Sequence, residues 1–438
     1  MTKNAHKKDI SRRNFLEKMG GIGAAACLPT LVPGRVLGKA APSNKIALGC
    51  IGVGRMGQGD MRSFMGFDQV RVVAVCDVDS KRMNDAMNAV NKKYEDKSCK
   101  AICDYRELVN QDDIDAVSIV TPDHWHALPA LAAARAGKDI FLQKPLTLTI
   151  EEGRTLSDTI SRFGRVLQVG SQQRSEQNFR LGCELVRNGR IGELHTVKVG
   201  LATDPSCGIE PDMEVPKNLN YDMWLGPAPL KPYTEKRVHP QKDYSRPGWL
   251  RIMDYGHGMI TGWGAHHLDI AQWGMGTELT GPVEIEGEAI YPTAGLWDVH
   301  GPFSIKYKYA NGVNVLCRDN NKFTQGVRFE GSKGWVFVAR GKIDAEPKSL
   351  LTSTIGPNEI HLYKSNNHKG NFLDCIKTRG KTVAPVEVGH RSCSVCLLGS
   401  IAMQLKRKLQ WEPDKEEFIG DMEANRMRSR PMRPPWKL

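Results

Sequence analysis

A short glycine-rich segment is the first part of the sequence whose spacing suggests chemistry. Residues 52–57 read Gly-Val-Gly-Arg-Met-Gly, which fits G-x-G-x-x-G, and they follow a strand-like run and precede a helix-like one. The first glycine permits a tight turn, the second lets the backbone approach a pyrophosphate, and the third lets the helix pack on the strand. The helix N-terminus then faces the phosphate charge. The segment predicts a dinucleotide site with contacts from Gly52, Gly54, Arg55, Met56 and Gly57.

Asp77 stands where such a site needs a carboxylate. It closes the second predicted strand, twenty-five residues after Gly52. A carboxylate there can accept hydrogen bonds from a ribose diol. It also repels a 2′-phosphate, which favours NAD over NADP, although Lys81 and Arg82 lie close enough to weaken that argument. A βαβ unit without any ligand is the structural alternative.

Lys144 is a lone lysine at the end of an apolar strand. The carboxyl edge of a parallel sheet is where such folds bind ligands. An amine at that edge can move a proton if its pKa falls from about 10.4, or it can orient a substrate oxygen as an ammonium. A solvated lysine at a strand end is the structural alternative.

Several motifs follow one another in a fixed order, and together they resemble those of the Gfo/Idh/MocA oxidoreductases. The resemblance covers about residues 46–408. It rests on residues 52–57, on Thr121-Pro122 followed by His126, on Gln143-Lys144-Pro145, and on residues 264–269 followed by Trp273. Similar proteins act on sugars, cyclitols or glycosides, and they hold the nicotinamide between two domains, over an open sheet.

The resemblance implies two catalytic residues. Lys144 matches the lysine of the family's E-K-P motif, near the nicotinamide and the substrate hydroxyl. His266 matches the histidine of its G-x-H-x-x-D motif, a natural group to take a hydroxyl proton as hydride leaves. His267 is adjacent and could take that role, although neighbours on a helix point about 100° apart. Helix-start histidines capped by the backbone are the structural alternative.

Two positions depart from the family's pattern. Gln143 stands where the family usually has Glu, which removes a negative charge beside Lys144. Gly262 stands where relatives often have Asp, four residues before the histidine. The upstream residues that could compensate are Asp254, Tyr255 and His257.

The remaining predicted contacts lie along the same motifs and in the loops of the second domain. Further cofactor contacts are predicted at Thr121, Pro122, His126, Gln143, Lys144 and Gln173. Substrate contacts are predicted at Lys144, Arg174, Tyr255, Trp263, His266, His267 and Asp269. Trp249 and Trp263 are candidates for stacking on a sugar ring. A surface loop around Gln173 and aromatic residues in the core are the structural alternatives. No metal site is predicted.

The elements that must position these residues are of two kinds. From 44 to 170, near-continuous apolar strands alternate with helices, which predicts a Rossmann domain with a doubly wound parallel sheet. In it, Ser80 is predicted as the N-cap of a helix over 80–94. From 171 to 415, short strands and turns predict a catalytic, substrate-binding α+β domain on an open, largely antiparallel sheet. Residues 416–438 are predicted as a basic, proline-rich tail.

The N-terminus has the composition of an export signal. Residues 11–18, Ser-Arg-Arg-Asn-Phe-Leu-Glu-Lys, resemble the twin-arginine motif, and a Gly/Ala-rich apolar run follows them. We therefore expect residues 1–40 to be a twin-arginine signal peptide and the mature protein to be periplasmic. A frayed basic helix is the structural alternative. A lipid anchor on Cys27 is disfavoured, because Ala24 stands where such signals usually have Leu.

Charge, hydropathy and cysteine content restrict the partners. Residues 1–40 contribute +6 of the formal net charge of +12, and the remaining excess is not accompanied by a nucleic-acid-binding motif. Apolar runs beyond the leader are short and interrupted by charge, so no membrane span is predicted. Cys393 and Cys396 form a CxxC without a second pair at zinc spacing, which favours packed thiols. We expect a small carbohydrate substrate and a homo-oligomer, a dimer or tetramer, formed through the C-terminal sheet.

Three functions are consistent with these residues. The first is an NAD(P)-dependent oxidoreductase that acts on a secondary hydroxyl of a sugar, glycoside or cyclitol. The second is a glycoside-cleaving lyase or hydrolase, in which transient oxidation acidifies a neighbouring C–H bond. The third is a non-catalytic sugar-binding protein, which the pair Lys144 and His266 argues against. Export of a folded protein implies a cofactor acquired in the cytoplasm, so we expect NAD to be tightly held.

Overall fold

The computed structural model describes residues 45–438, and the predicted export signal lies outside them. The first 125 or so of these residues form a six-stranded sheet in which every pair is parallel, in the order β3-β2-β1-β4-β5-β6. Its strands are β1 Ile46–Ile51, β2 Val70–Cys76, β3 Lys100–Ile102, β4 Ala116–Ile119, β5 Asp139–Leu142 and β6 Leu167–Val169. The central strands β4 and β5 are buried throughout, because helices cover both faces of such a sheet.

Five helices connect these strands, and three of them begin at a side-chain N-cap, namely Asp79, Asp104 or Thr149. The five helices are α1 Arg55–Phe64, α2 Ser80–Tyr94, α3 Tyr105–Val109, α4 Ala127–Arg135 and α5 Ile150–Phe163. The predicted N-cap at Ser80 is wrong, because the carboxylate of Asp79 accepts from the amides of Lys81 and Arg82. Helix α5 begins with a capping box between Thr149 and Glu152.

The second sheet has nine strands in the order β13-β12-β11-β7-β10-β9-β8-β14-β15. Its pairs are antiparallel except for β7 with β10. The strands are β7 Leu194–Leu201, β8 Glu284–Ala289, β9 Phe303–Lys308, β10 Asn314–Asp319, β11 Gly326–Gly331, β12 Gly334–Ala339, β13 Lys342–Glu346, β14 Leu409–Glu412 and β15 Glu417–Phe418. Burial alternates along β9 and β10, as expected for a sheet with one covered face. The predicted fold class, a Rossmann domain followed by an α+β domain on a largely antiparallel sheet, is confirmed.

The remaining helices join the two sheets. They are α6 Gln177–Arg187, α7 Tyr221–Leu225, α8 Met259–Gly262, α9 Gly264–Met275, α10 His368–Thr378, α11 Val386–Leu405 and α12 Met422–Arg426. Helix α11 packs against both α5 and β8, so it is apolar on almost every side. One apolar core therefore runs from Ile51 and Val117 in the first sheet to Val315 and Trp411 in the second.

The segment predicted as a C-terminal tail is part of the folded body. Strand β15 pairs with β14, and the chain then returns to the first domain. Arg433 donates to the carbonyl of Gly226, and the ring of Trp436 packs edge-on against Trp125 at 4.8 Å. Within residues 45–438, no helix is long and apolar enough to cross a membrane.

Candidate active site

A cleft of about 580 Å³ lies between the carboxyl edge of the Rossmann sheet and the second domain. Gly52, Gly54 and Asp77 line one end of it. Lys144 and His266 line the other end. The structure therefore brings the two ends of the predicted site into one cavity.

The glycine-rich turn has the geometry that a bound phosphate requires. Gly52 has a φ of +79°, and a Cβ there would lie 2.7 Å from the Val120 carbonyl. A Cβ on Gly57 would lie 1.9 Å from the carbonyl oxygen of Gly52, so only glycine lets α1 pack this closely. By contrast, a Cβ on Gly54 would contact only the Arg82 guanidinium, at 3.7 Å, because this backbone faces open space. The turn thus leaves a concave surface of backbone at the start of α1, which fits a dinucleotide pyrophosphate.

Asp77 lies at the end of β2 with both carboxylate oxygens held by backbone amides. Val53 donates to Oδ2 at 2.9 Å and Asp79 donates to Oδ1 at 3.0 Å. Burial raises the pKa of Asp77, although these two hydrogen bonds oppose the shift. Each oxygen keeps a lone pair that a ribose hydroxyl can use.

A segment of the second domain, residues 218–245, lies over the start of α2, and we call it the strap. His239 Nε2 lies 2.9 Å from Asp79 Oδ2. The Arg82 guanidinium donates to the carbonyl of Pro240 at 2.7 Å. Because Arg82 and His239 both line the cleft, the strap encloses the end of the cleft that contains Asp77.

Further contacts hold the strap in place. Asn218 donates to Asp79 Oδ1 at 2.9 Å, and the Tyr244 ring stacks on Arg82 at 4.5 Å. Burial acts to raise the pKa of Asp79, but hydrogen bonds from His239, Asn218 and the Arg82 amide lower it to about 2. Asp79 is therefore ionised at neutral pH, which strengthens its hydrogen bonds to the strap.

Lys144 extends from the end of β5 into the cleft. Its Nζ donates to the carbonyl oxygen of Gly262, 3.0 Å away, at the end of α8. Gly262 thus supplies a backbone acceptor at the position where relatives often have Asp. Burial lowers the pKa of Lys144. The positive charges of Arg340 and Arg246 lower it further, whereas the negative charge of Asp123 raises it.

Gln143, which stands where the family usually has Glu, forms a hydrogen bond with the carboxylate of Asp60. Its amide donates to Asp60 Oδ2 at 2.7 Å. Asp60 in turn forms an ion pair with Lys369 Nζ at 2.9 Å. Asp60 thus supplies a carboxylate beside Gln143, and its charge also acts on Lys144, though less than that of Asp123 does.

The two neighbouring histidines point in different directions. His266 lines the cleft, and its buried Nδ1 has no hydrogen-bond partner among residues 45–438. Burial holds the pKa of His266 well below its usual value, and the Lys144 ammonium adds to this effect. His267 lies outside the cleft, and its Nδ1 lies 3.1 Å from the carbonyl oxygen of Gly200 on β7.

Residues 121–126 form the middle of the cleft wall. The Thr121 hydroxyl is buried and has no partner within the described part of the chain, so it is available to a ligand. The two ring nitrogens of His126 lie 2.6 Å from the Pro145 carbonyl and 3.0 Å from the Thr121 carbonyl. His126 therefore ties the ends of β4 and β5 together. Pro122, Arg55 and Met56 also line the cleft.

Six of the predicted contacts do not line the cleft. They are Gly57, Gln173, Arg174, Tyr255, His267 and Asp269. Arg174 and Asp269 form a buried bidentate ion pair at 2.7 and 2.8 Å, to which Ser392 also donates. Tyr255 is fully buried and packs on Trp224. Arg174 and Asp269 therefore stabilise the second domain, and their polar types misled the prediction.

The structure adds residues that the sequence reasoning missed. Asp123 lines the cleft, although only 5% of its surface is exposed. Arg246 and Arg340 lie at the same end as Lys144, with Arg340 stacked on Trp263 at 4.7 Å. Glu176 also lines the cleft, as does Gln172, which the sequence had already suggested for the junction of cofactor and substrate. The one sequence signal for Asp123 was its position directly after the Thr121-Pro122 motif. In the described residues, no group of three or more His, Cys, Asp or Glu is arranged to hold a metal ion.

Comparisons with known proteins agree with this geometry. Residues 46–171 match the oxidoreductase family, NAD-binding Rossmann fold (GFO_IDH_MocA). Residues 207–438 match the oxidoreductase family, C-terminal alpha/beta domain (GFO_IDH_MocA_C2). The two matches together include both ends of the cleft.

Two curated relatives and one solved structure illustrate the range of similarity. A glycosyl hydrolase family 109 protein of Shewanella pealeana is 30% identical over 203 residues, which are 42% of this chain and 44% of that protein. This chain thus spans less than half the length of that relative. The uncharacterized oxidoreductase YrbE of Bacillus subtilis is 25% identical over 344 residues, 76% of this chain and 85% of that protein. The WlbA dehydrogenase from Bordetella pertussis, in complex with NADH and UDP-GlcNAcA, shares the fold at a TM-score of 0.62 and 16% identity, covering 84% of this chain and 99% of that one.

Proposed function

Because this chain belongs to the GFO/IDH/MocA oxidoreductase family, we propose that it transfers hydride between a tightly held NAD and a secondary hydroxyl carbon of a sugar, glycoside or cyclitol. One observation carries the proposal. The glycine-rich turn and Asp77 share a single cleft with Lys144 and His266. A dinucleotide that lies along this cleft from the turn has its reactive end beside the two titratable groups.

Different residues of the cleft can bind the cofactor and transfer the proton. A nicotinamide dinucleotide, when bound, supplies the hydride acceptor or donor. Gly52, Gly54 and Thr121 present backbone and hydroxyl groups that can hold it. Lys144 and His266 are the groups that can orient the substrate oxygen and move its proton.

Two observations favour NAD over NADP. The Asp77 carboxylate lies where a 2′-phosphate would be, and it repels that charge. Arg82 is the nearest candidate to bind such a phosphate. Its guanidinium already donates to the carbonyls of Pro240 and Asp243 and stacks on Tyr244.

The strap supports the proposal that the cofactor is held between turnovers. It joins the second domain to the start of α2 through Asp79 and Arg82, so a dinucleotide beneath it leaves only when these contacts break. Retention agrees with export of a folded protein to the periplasm, which is expected to offer no maintained pool of free NAD. Each catalytic cycle would then regenerate the redox state of NAD on the protein.

Mass spectrometry of the purified protein tests this proposal. We expect about one nicotinamide per chain after gel filtration, and a change in its redox state when a suitable glycoside is added. We also expect turnover without added NAD and no steady rise in free NADH absorbance. A protein that arrives without cofactor and uses added NAD as a co-substrate would contradict retention. A cofactor whose redox state no sugar changes would contradict the function itself.

The similarity to a glycosyl hydrolase family 109 protein favours a second candidate function. In such a cleavage a ring hydroxyl would be oxidised, and elimination would break the glycosidic bond and leave an unsaturated ketosugar. Water would then add to the double bond, and the hydride would return to the ketone. Lys144 and His266 serve both reactions, so product analysis must separate them. A free aglycone with no oxidised sugar indicates cleavage, whereas an accumulating ketosugar indicates dehydrogenation.

A further inference from the structure

Asp123 is a buried carboxylate that lies at the same sheet edge as Lys144. Strands β4 and β5 pair in parallel, with Ile119 opposite Leu142. The chain after each strand therefore leaves the sheet at one edge, and Asp123 and Lys144 both line the cleft there. No other described residue donates a hydrogen bond to the Asp123 carboxylate.

The second domain closes over this carboxylate. A Cβ at Gly256 would lie 3.2 Å from Asp123 Oδ2, so the backbone of that loop is close to the acid. A buried carboxylate whose one hydrogen-bond donor is its own backbone amide is costly to ionise unless a cation is near. Among the described residues, Lys144 is the cation whose charge acts on Asp123.

We propose that Asp123 is the proton-holding partner of Lys144 when a sugar hydroxyl is oxidised, an inference that rests on the proposed function. The two groups make no direct hydrogen bond, since Lys144 Nζ donates to the carbonyl of Gly262. A water molecule that bridges them therefore takes one proton from Lys144 Nζ and gives one to Asp123 Oδ, while Lys144 takes the hydroxyl proton. The substrate O–H bond breaks, an O–H bond forms on Asp123, and Lys144 ends with the protons it began with. The hydrogen on the substrate carbon leaves with its electron pair to the nicotinamide dinucleotide, the oxidant of the proposed function. Reduction of a ketosugar runs through the same steps in reverse.

The protonation behaviour of Asp123 agrees with this role. Burial raises its pKa to about 7, although the Lys144 ammonium opposes the shift. A carboxylate with this pKa can both accept and release a proton near neutral pH. Asp123 thereby supplies, from the end of β4, the negative charge that Gln143 and Gly262 do not provide.

Other titratable groups surround the pair on several elements. Three of them change the pKa of Lys144, namely Asp60 on α1, Arg246 after the strap and Arg340 between β12 and β13. Lys144 in turn changes the pKa of His126 before α4 and of His266 on α9, and Asp123 changes that of Cys393 on α11. Burial lowers the pKa of His126 to about 4 and raises that of Cys393 to about 11, so both are neutral near pH 7. Burial keeps His266 neutral as well. A titration near pH 7 is therefore expected from the pair Asp123 and Lys144, and not from these three neighbours.

Asp123→Asn tests the role through the pH profile of sugar oxidation. For the native protein we expect kcat/KM to fall as the pH drops below about 7, because protonated Asp123 cannot accept a proton. In D123N we expect kcat/KM at pH 8 to fall about 10- to 100-fold and the limb near pH 7 to disappear. Glu176→Gln is the matched control, since Glu176 is another acid of the same cleft and is expected to leave that limb in place.

A second measurement needs no substrate. Trace acetylation of Lys144 by acetic anhydride, read by mass spectrometry over a pH series, reports the fraction of free amine. Because the Asp123 carboxylate raises the pKa of Lys144, we expect the midpoint of labelling to move to lower pH in D123N. A purely structural role for Asp123 would not move this midpoint.

A double variant completes the test. If Asp123 acts through Lys144, D123N should cost little further activity in a Lys144→Met background. An additional loss as large as in the native background would overturn the inference. So would an unchanged pH limb together with an unchanged Lys144 midpoint, or loss of bound NAD from D123N without either change. The native protein could also fail to oxidise any sugar while the midpoint of Lys144 labelling still shifts in D123N. That result would contradict the proposed function but would support the pairing of Asp123 with Lys144.

Discussion

At the scale of single residues, Lys144 and His266 owe their reactivity to burial. Each lies at the end of the cleft that the second domain covers, and for each burial is the largest cause of a lowered pKa. A solvated lysine would keep a pKa of about 10.4 and would rarely offer a free amine at neutral pH. The chemistry of the site therefore depends on the covering domain as much as on the residue types.

Lys144→Ala should leave folding and dinucleotide binding nearly intact and lower turnover by at least about a hundredfold, the usual scale for acid–base groups. The physical reason is the loss of the amine that lines the cleft and can orient the substrate oxygen and move its proton. Steady-state rates and the nicotinamide content of the purified variant check this. Lys364→Ala, at an exposed lysine, is the control. Near-native turnover in K144A would remove Lys144 from the catalytic role.

His266→Ala should lower turnover more than His267→Ala, because His266 lines the cleft and His267 bonds to β7. Loss of the His267 bond to the Gly200 carbonyl should instead lower the free energy of unfolding, by about 1 kcal/mol. Rates on one substrate and urea unfolding curves of both variants separate the two effects. A larger loss of turnover in H267A would show that the register of the motif is misassigned.

At the scale of elements, two residues of the strap bond to the same buried acid, Asp79, at the start of α2. Asp79 caps α2 and also accepts from His239 and Asn218, so a single carboxylate joins the Rossmann domain to the second domain. Its pKa of about 2 means that ordinary changes of pH do not release the strap through Asp79. Retention then depends on the strap residues themselves.

His239→Ala should speed the release of NAD, because it removes one of the hydrogen bonds that close the strap over the cleft. We expect the nicotinamide content after prolonged dialysis to fall well below that of the native protein, with the initial rate restored by added NAD. His361→Ala, at an exposed histidine far along the chain, provides the comparison. Equal retention in the native protein and in H239A would show that the strap does not hold the cofactor.

At the scale of the whole molecule, the two domains share one apolar core. Helix α11 lies between the sheets and contacts both α5 and β8, so the cleft wall is set by buried packing and not by a flexible linker. The C-terminal segment adds a further connection through Arg433 and Trp436. Such a body suits a protein that is exported folded with its cofactor in place.

The proposed export route predicts where the protein is found. Replacing Arg12 and Arg13 by Lys should keep the protein in the cytoplasm, since the paired arginines are the residues that the twin-arginine route reads. Fractionation of cells that express the native and the double variant, with nicotinamide content measured in each fraction, checks this. Recovery of both proteins in the periplasm would contradict the route. Recovery of both in the cytoplasm would contradict periplasmic localisation.

The sequence alone determined the fold class, the glycine-rich turn, Asp77, Lys144 and His266. These features depend on local order along the chain: apolar runs predict buried strands, glycine spacing predicts the turn, and a residue that ends a parallel strand lies at the binding edge. The same reasoning predicted one parallel sheet and one largely antiparallel sheet. None of these inferences required knowing which residues, far apart along the chain, lie close together in the fold.

Only the tertiary structure decided which polar residues face the cleft. Arg174 and Asp269 satisfy each other in the core, and His267 bonds to β7. Asp123 faces the cleft because β4 and β5 end side by side and because the loop at Gly256 closes over it. Partners of this kind are separated by tens to more than a hundred residues along the chain. Their pairing depends on how the sheets and helices pack, which no local pattern of residue types encodes.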